Sequence, residues 1–462
     1  MFDLIVIGAG PGGTEVALGA AALGWEVALI EAVKIGGTCV NRGCIPTKAL
    51  LQLREPLLQL EHMKDEGFEN TSLLDDYRAG LHSGATLNFR DKQVQASVDG
   101  LQSQLDRAKV TLIEGHGILV ASQAGQAAAV QVDEEVYEAK RICLALGSVP
   151  AVPPIPGHDL PAVYTSDHFL DPEETWPENM KSVVIVGAGV IGVEMADFFH
   201  HMGIHVTIVE MLDRALANLD RGLSRALQQS FKKRGIDIIT SRGVDEIREA
   251  DTGLEVLVGD DVFPCDGVLL ATGRRPATHN ISELDLTMDR HSIAVDENFR
   301  TNIENVYAIG DCRSGSLLLA HEAMDDGRQL LNIFQGGSRH TKATPSCIYT
   351  APEIAQVGLT EAEAKEQGID VVAARASTLA NARSRMHGSE RGYVNLIFSS
   401  ETRALLGAQW LGDRATELID ELTLAIDLQL TLDELAPSIR PHPSFAETLN
   451  QALMAAKERL NK

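Results

Sequence analysis

The stretch Leu4-Ile5-Val6-Ile7-Gly8-Ala9-Gly10-Pro11-Gly12-Gly13 decides the fold. An unbroken apolar run entering a glycine cluster is the pattern of a strand buried on both faces that turns into a helix. The chain repeats it: Val183-Val184-Ile185-Val186 enters Gly187-Ala188-Gly189-Val190-Ile191-Gly192. A helical stretch follows each cluster, and then a second apolar run, Val27-Ala28-Leu29-Ile30-Glu31 or Val206-Thr207-Ile208-Val209-Glu210. In both units the closing acid stands 23 positions after the first glycine. Each unit ends on a similar run and glycine, Ile142 through Gly147 and Val268 through Gly273.

A glycine cluster alone makes ordinary turns. Between a strand and a helix, with an acid in register, it is a dinucleotide-binding fingerprint. Gly8 and Gly187 permit the tight turn, Gly10 and Gly189 let the backbone approach a pyrophosphate, and Gly13 and Gly192 let helix and strand pack closely. The helix N-terminus then offers free N–H groups and the positive end of its dipole. Glu31 and Glu210 can accept a hydrogen bond from a ribose hydroxyl but would repel a 2′-phosphate, which at the second site argues for NAD over NADP. Next to Glu210, Met211 and Leu212 are apolar, and Arg214 is the one nearby cation.

The remaining composition limits the alternatives. At 462 residues the chain exceeds one hydrophobic core and fits about three domains. Sixty-five acids against forty Lys and Arg give a formal charge of −25, a field that repels phosphate backbones and argues against nucleic acid. That field suits a basic protein partner, good solubility or a salty cytoplasm. No signal peptide and no uncharged stretch of membrane-spanning length is visible. Six cysteines in a chain this size do not make a secreted disulfide framework. Cytoplasmic is therefore the expectation, and a disulfide there is more often catalytic than structural.

Residues 49–66 and 92–109 show helical spacing and could form an antiparallel pair. The proline-rich stretch Val149 through Gly157 reads as a linker. From Pro345 onward mixed strands give way to helices at about 415–429 and 444–460, the pattern of a separate α+β domain.

Directly after the first unit comes Gly36-Gly37-Thr38-Cys39-Val40-Asn41-Arg42-Gly43-Cys44-Ile45-Pro46-Thr47-Lys48. Two cysteines five apart can bridge if the local backbone brings their β-carbons together. A helix start beside them would lower a thiol pKa and speed exchange near neutral pH. Far downstream, His442 stands between Pro441 and Pro443, with Glu447 five residues on. A dithiol attacks a disulfide only as thiolate, so such chemistry needs a base of pKa near 7. A carboxylate on the far ring nitrogen would fix the tautomer and stabilise the imidazolium. Cys143, Cys265, Cys312 and Cys347 match no metal spacing and read as structural.

These motifs resemble those of the pyridine nucleotide–disulfide oxidoreductases over essentially the whole chain. The resemblance rests on Gly8–Gly13, Cys39–Lys48, Gly187–Glu194, Gly273–Pro276, Gly310-Asp311, Leu319-Ala320-His321, Pro345–Gly358 and His442–Glu447. Gly43 through Leu50 leans to the lipoamide branch rather than the glutathione branch. The resemblance implies an α/β fold: two doubly wound, Rossmann-like dinucleotide domains and a C-terminal α+β dimerisation domain. The implied boundaries are 1–148 for FAD, 149–275 for NAD, 276–344 for a central domain completing the FAD site and 345–462 for the interface.

It also implies FAD and NAD as cofactors, and a redox-active Cys39–Cys44 disulfide with Cys44 nearer the flavin. Gly8, Gly10, Gly13, Glu31, Lys48, Gly147, Asp311 and Ala320 would serve FAD. Gly187, Gly189, Gly192, Glu210 and Gly273 would serve NAD. Lys48 and Glu194 would form the ion pair beside the flavin, and His442 with Glu447 would reach the cysteines from the other subunit of a homodimer. Many relatives carry a histidine where this chain has Arg440, a departure that bears on the shape and charge of the substrate channel. The implied reaction oxidises dihydrolipoyl groups on a lipoylated carrier protein with NAD⁺. The alternatives are an NAD(P)H-dependent reductase of another disulfide, or a flavoprotein serving mainly as a binding component of a complex.

Overall fold

The computed structural model describes every residue except 69–71, 83, 123–127, 174–179, 390 and 462. Both apolar repeats become the centres of five-stranded parallel sheets. In the first sheet the order is Val306–Ala308, Ile142–Leu144, Leu4–Ile7, Val27–Glu31, Thr111–Glu114. In the second it is Val163–Thr165, Gly267–Leu270, Ser182–Val186, His205–Val209, Asp237–Ile239. The two layouts match strand for strand, down to a three-stranded antiparallel sheet inserted in each, Ile118–Tyr137 and Glu246–Cys265. Strand order reverses between Leu4–Ile7 and Ile142–Leu144, and again between Ser182–Val186 and Gly267–Leu270. Such switch points leave a crevice at the carboxyl ends of the strands, where ligands bind.

Three details depart from the expectations. The proline-rich stretch is not wholly irregular: Ser148–Pro150 pairs antiparallel with Arg274–Pro276, so the two connections into and out of the second unit run side by side. The segment 276–344 gives its strand Val306–Ala308 to the edge of the first sheet. Its helix Ala320–Phe334 packs on the helix Pro11–Ala22. That contact is close because Gly12 and Gly327 present no side chains there; a Cβ on Gly12 would stand 3.0 Å from the Ala323 carbonyl oxygen. Residues 276–344 thus share a sheet and a helix contact with the first unit. The helical region 49–66 begins earlier, at Cys44, and breaks at Leu53 and Arg54 into Cys44–Gln52 and Glu55–Asp65, with Pro56 in the first turn of the second piece. It is Cys44–Gln52 that packs on the long helix Gly84–Ala108.

The C-terminal domain is an antiparallel sheet, ordered Ser346–Ile348, Ile354–Gly358, Leu405–Leu411, Tyr393–Ser399, Val371–Ser377. Helices Ala415–Asp427 and Glu447–Leu460 cover it, burying Trp410, Ile419, Leu422 and Leu453 in one core. Ser444 stays outside the last helix, in the loop that carries His442.

Candidate active site

The two fingerprints have the same geometry. Gly8 and Gly187 have φ of 103° and 107°, a left-handed backbone that favours glycine. A Cβ on Gly13 would lie 1.9 Å from the Gly8 carbonyl oxygen, and one on Gly192 would lie 2.0 Å from that of Gly187. Gly10 and Gly189 differ: a Cβ at either would meet nothing within 4 Å. Each is the N-cap of its helix, Pro11–Ala22 or Val190–His201, and neither helix has a side-chain cap. Uncapped first-turn N–H groups facing open space fit a pyrophosphate.

The acids are matched too. Glu31 accepts from the amides of Ala9 and Val33, both at 2.8 Å. Glu210 accepts from Ala188 at 2.6 Å and Leu212 at 2.8 Å. Arg214 is engaged elsewhere, donating to Asp213 at 2.8 Å and to the carbonyl of Ala217. Gly147 and Gly273 leave the sheets just beyond Ile142–Leu144 and Gly267–Leu270, each with open space before its Cα.

Cys39 lies in the short helix Gly37–Arg42, and Cys44 is the first residue of the next helix, after Gly43. Both are thiols, joined by a hydrogen bond. That bond, helped by the charge of Lys48 one turn on, pulls the Cys44 thiol down to about 7. The same bond and burial push Cys39 well up, so Cys44 is the one of the pair that ionises more readily. Elsewhere burial dominates: Cys312 and Cys347 are pushed up to about 12. Lys48 Nζ lies 2.7 Å from Glu194 and 4.6 Å from the centre of the Tyr349 ring. Burial opposes the lysine's charge, but Glu194 outweighs it and the pKa is raised. Glu194 is itself buried and accepts the Tyr349 amide at 2.9 Å.

Asp311 accepts from the Ser148 hydroxyl at 2.6 Å. Ser148 is held in turn by Arg274, whose Nε donates to its hydroxyl at 2.9 Å and whose Nη2 donates to its carbonyl at 2.6 Å. Arg274 also reaches Asp167 at 2.9 Å and Thr38, the neighbour of Cys39, at 3.3 Å. Ala320 is the first residue of its helix, with no side chain capping that end. Among these residues, Ser148, Arg274 and Tyr349 are absent from the candidates read from sequence, since their roles come from folding distant segments together.

His442 and Glu447 stand apart. The histidine's Nδ1 is 2.7 Å from Glu447 Oε1, and Glu447 Oε2 accepts the Ser444 amide at 2.9 Å. The hydrogen bond with His442 holds the Glu447 carboxyl below its usual range. The imidazole is 77% exposed, and among the described residues no hydrogen bond or ion pair joins it to Cys39 or Cys44. Arg440 does not face an opening within this chain: its side chain is 4% exposed, donating to Asn450 at 2.6 Å and to Glu421. It braces the His442 loop against two helices.

Two nucleotide cradles around an ionisable thiol pair define a flavoprotein disulfide oxidoreductase. Residues 2–327 match the family described as pyridine nucleotide-disulphide oxidoreductase, and residues 344–453 match that family's dimerisation domain. Dihydrolipoyl dehydrogenase of Chlamydia pneumoniae is 35% identical over 98% of this chain and 97% of its own. That of Zymomonas mobilis is 33% identical over 98% of both chains. Among solved structures, LpdA from Mycobacterium tuberculosis superposes with a TM-score of 0.87 at 25% identity, over 98% of this chain and 99% of its own. The Cu(II) complex of the HOCl-induced flavoprotein disulfide reductase RclA from Escherichia coli superposes with 0.85 at 28%, with the same coverage. The chain belongs to the pyridine nucleotide–disulphide oxidoreductase family. It is an enzyme of that family with FAD and a pyridine nucleotide as cofactors, and it carries the dimerisation domain of a homodimer.

Proposed function

We propose that this enzyme oxidises dihydrolipoyl groups borne on a carrier protein, with NAD⁺ as the final acceptor. The observation that carries the choice of substrate is a cavity of about 470 Å³ that opens on Cys39. Leu18, Val40, Ile45, Leu101 and Met324 line it, and its one charged residue among those described is Glu15. Apolar walls suit a neutral alkyl arm. An anionic peptide disulfide such as a glutathione-like one would meet a carboxylate and no cation. The naming of the relatives supports the same substrate.

In this reading the residues take the following roles. The partner subunit's His442, oriented by Glu447, takes a proton from the substrate dithiol. The thiolate attacks Cys39 of a Cys39–Cys44 disulfide, and Cys44 leaves as a thiolate favoured by Lys48. A second attack within the substrate closes its disulfide and frees Cys39 as a thiol. FAD held in the first cradle would supply the acceptor for the electron pair of the reduced Cys39–Cys44 pair, whose disulfide then re-forms, and NAD⁺ held in the second would be the final hydride acceptor. In this reading Gly8, Gly10, Gly13, Glu31, Gly147, Asp311 and Ala320 hold FAD, while Gly187, Gly189, Gly192, Glu210 and Gly273 hold NAD. The FAD unit comprises 1–148 and 276–344, the NAD unit 149–275 and the interface domain 345–462. Among the described residues no helix is long and apolar enough to cross a membrane. The cysteine usage supports a cytoplasmic setting.

Steady-state assays test the proposal. NADH should form with free dihydrolipoamide and NAD⁺. Turnover of glutathione disulfide with NADPH, and none of dihydrolipoamide, would replace it with the alternative reductase.

A further inference from the structure

Two acids on one face of the helix Val190–His201 make parallel sets of contacts. Glu194 accepts from Lys48 and from the amide of Tyr349. Asp197, one turn on, accepts from Arg54 and, at 3.1 Å, from the amide of Ala351. Arg54 lies six residues after Lys48, and it also donates to the Tyr349 carbonyl at 3.0 Å. The two sets are rungs of one ladder between the first unit, the second unit and the C-terminal domain. The upper rung borders Cys44. The lower rung carries a third cation, Arg234, at 2.5 Å from Asp197 Oδ1.

The lower rung is far more enclosed. Asp197 is fully buried and the Arg54 side chain is 4% exposed, against 33% for Lys48. Burial opposes ionisation of Asp197, but the charges of Arg234 and Arg54 overcome it and hold the carboxyl far below its usual range. His201, the remaining titratable group beside it, is held down to about 4 by burial, so it is neutral at pH 7. Glu55 faces Arg54 from the other side, at 3.2 Å. A buried carboxylate gripped by guanidinia from both flanking segments fixes the axial position and rotation of the helix that presents Glu194.

Resting on the reading of Lys48–Glu194 given above, we infer that Arg54, Asp197 and Arg234 are positioning residues. They hold Glu194, which grips the Lys48 ammonium at 2.7 Å, and through that lysine they set how readily Cys44 ionises. The charged groups facing Cys44 are Lys48 and Glu194, with Cys39 as its hydrogen-bond partner.

The test uses the full-length chain and three variants: Asp197→Asn, Lys48→Met and the double. Cys44 ionisation is read from the pH dependence of iodoacetamide alkylation, which needs no bound cofactor, and Tm is recorded for each protein. Asp197→Asn should move the Cys44 midpoint up by about one pH unit, the scale of a neighbouring-charge effect. In the Lys48→Met background the same change should add no shift, because it acts through the lysine. An unmoved midpoint with a lowered Tm, or an equal shift in both backgrounds, overturns the inference. If Asp197→Asn does not fold, as losing one partner of a buried pair threatens, Arg54→Lys keeps the charge but loses the guanidinium fork. The same midpoint shift is then expected from it, and its absence overturns the inference. A Lys48→Met chain with the parent's midpoint would sink the reading of Lys48 itself. A shifted Lys48→Met midpoint beside an unmoved Asp197→Asn would sink this inference alone.

Discussion

The imidazole of His442 is tied through Nδ1 to Glu447 at 2.7 Å, which leaves Nε2 directed away from its own chain's carboxylate. A base whose tautomer is fixed and whose ring is mostly exposed is poised to work on a neighbour. His442→Ala should slow dithiol oxidation by about 10²–10⁴-fold, the usual worth of a positioned base. Hydride exchange between NADH and a nicotinamide analogue should survive, since it bypasses the thiol step. Glu447→Gln should lose less. Mixing inactive Cys39→Ser and His442→Ala chains should restore one active site per heterodimer. Verified heterodimers without activity would place both groups in one subunit.

Cys44 with a pKa near 7 predicts a spectroscopic signature. Two-electron reduction should give a long-wavelength band from thiolate to flavin. It should grow as pH rises between about 6 and 8, one unit either side of the midpoint. The direction follows because the thiolate is the form present above the pKa. Cys44→Ser should abolish the band and Cys39→Ser should keep it. A band surviving in Cys44→Ser would reverse the assignment.

For cofactor choice, the Glu210 carboxylate accepts from the amides of Ala188 and Leu212 at the end of its strand, while Arg214 is held by Asp213 and Ala217. NADH should therefore be preferred over NADPH in the reverse reaction, and Glu210→Ala should narrow the gap. Equal kcat/KM for the two in the parent enzyme would refute this.

The second glycine loop separates stability from binding. In Gly192→Ala the new methyl must displace the Gly187 carbonyl, at a cost of about 1–3 kcal/mol or more. Its Tm should fall, FAD should remain, and NAD-dependent turnover should be lost. Gly189→Ala meets open space. Its Tm should stay, while KM for the nicotinamide rises. Equal loss of Tm in both would contradict the assigned geometry.

Local motifs made much of this legible from sequence. A strand, a glycine cluster and an acid in register lie within one short segment, so both nucleotide units, Glu31 and Glu210 could be placed before folding was known. The cysteine pair was equally local. What escaped depends on distant segments meeting. Nothing around Val306 says that its strand closes the first sheet beside Ile142. Prolines at 150 and 153 argued against a strand that nonetheless forms, because Ser148–Pro150 can pair at an edge with Arg274–Pro276. Arg274 and Asp197 read as unremarkable charges until the fold supplies Ser148, Arg54 and Arg234 as their partners. Arg440 showed only as a departure, and its burial against Glu421 could not be inferred from the residue type alone.

The pairing of Ser148–Pro150 with Arg274–Pro276 has a topological consequence. The second nucleotide unit is a loop of chain inserted into the first, entering and leaving through a neck two strands wide. Adjacent ends are what allow one domain to be housed inside another without disturbing its host. During synthesis the host sheet stays open along its Ile142–Leu144 edge until residues 306–308 have emerged. By then the guest already has all five of its strands. The guest can fold first, and the host, though it begins the chain, is finished after its guest.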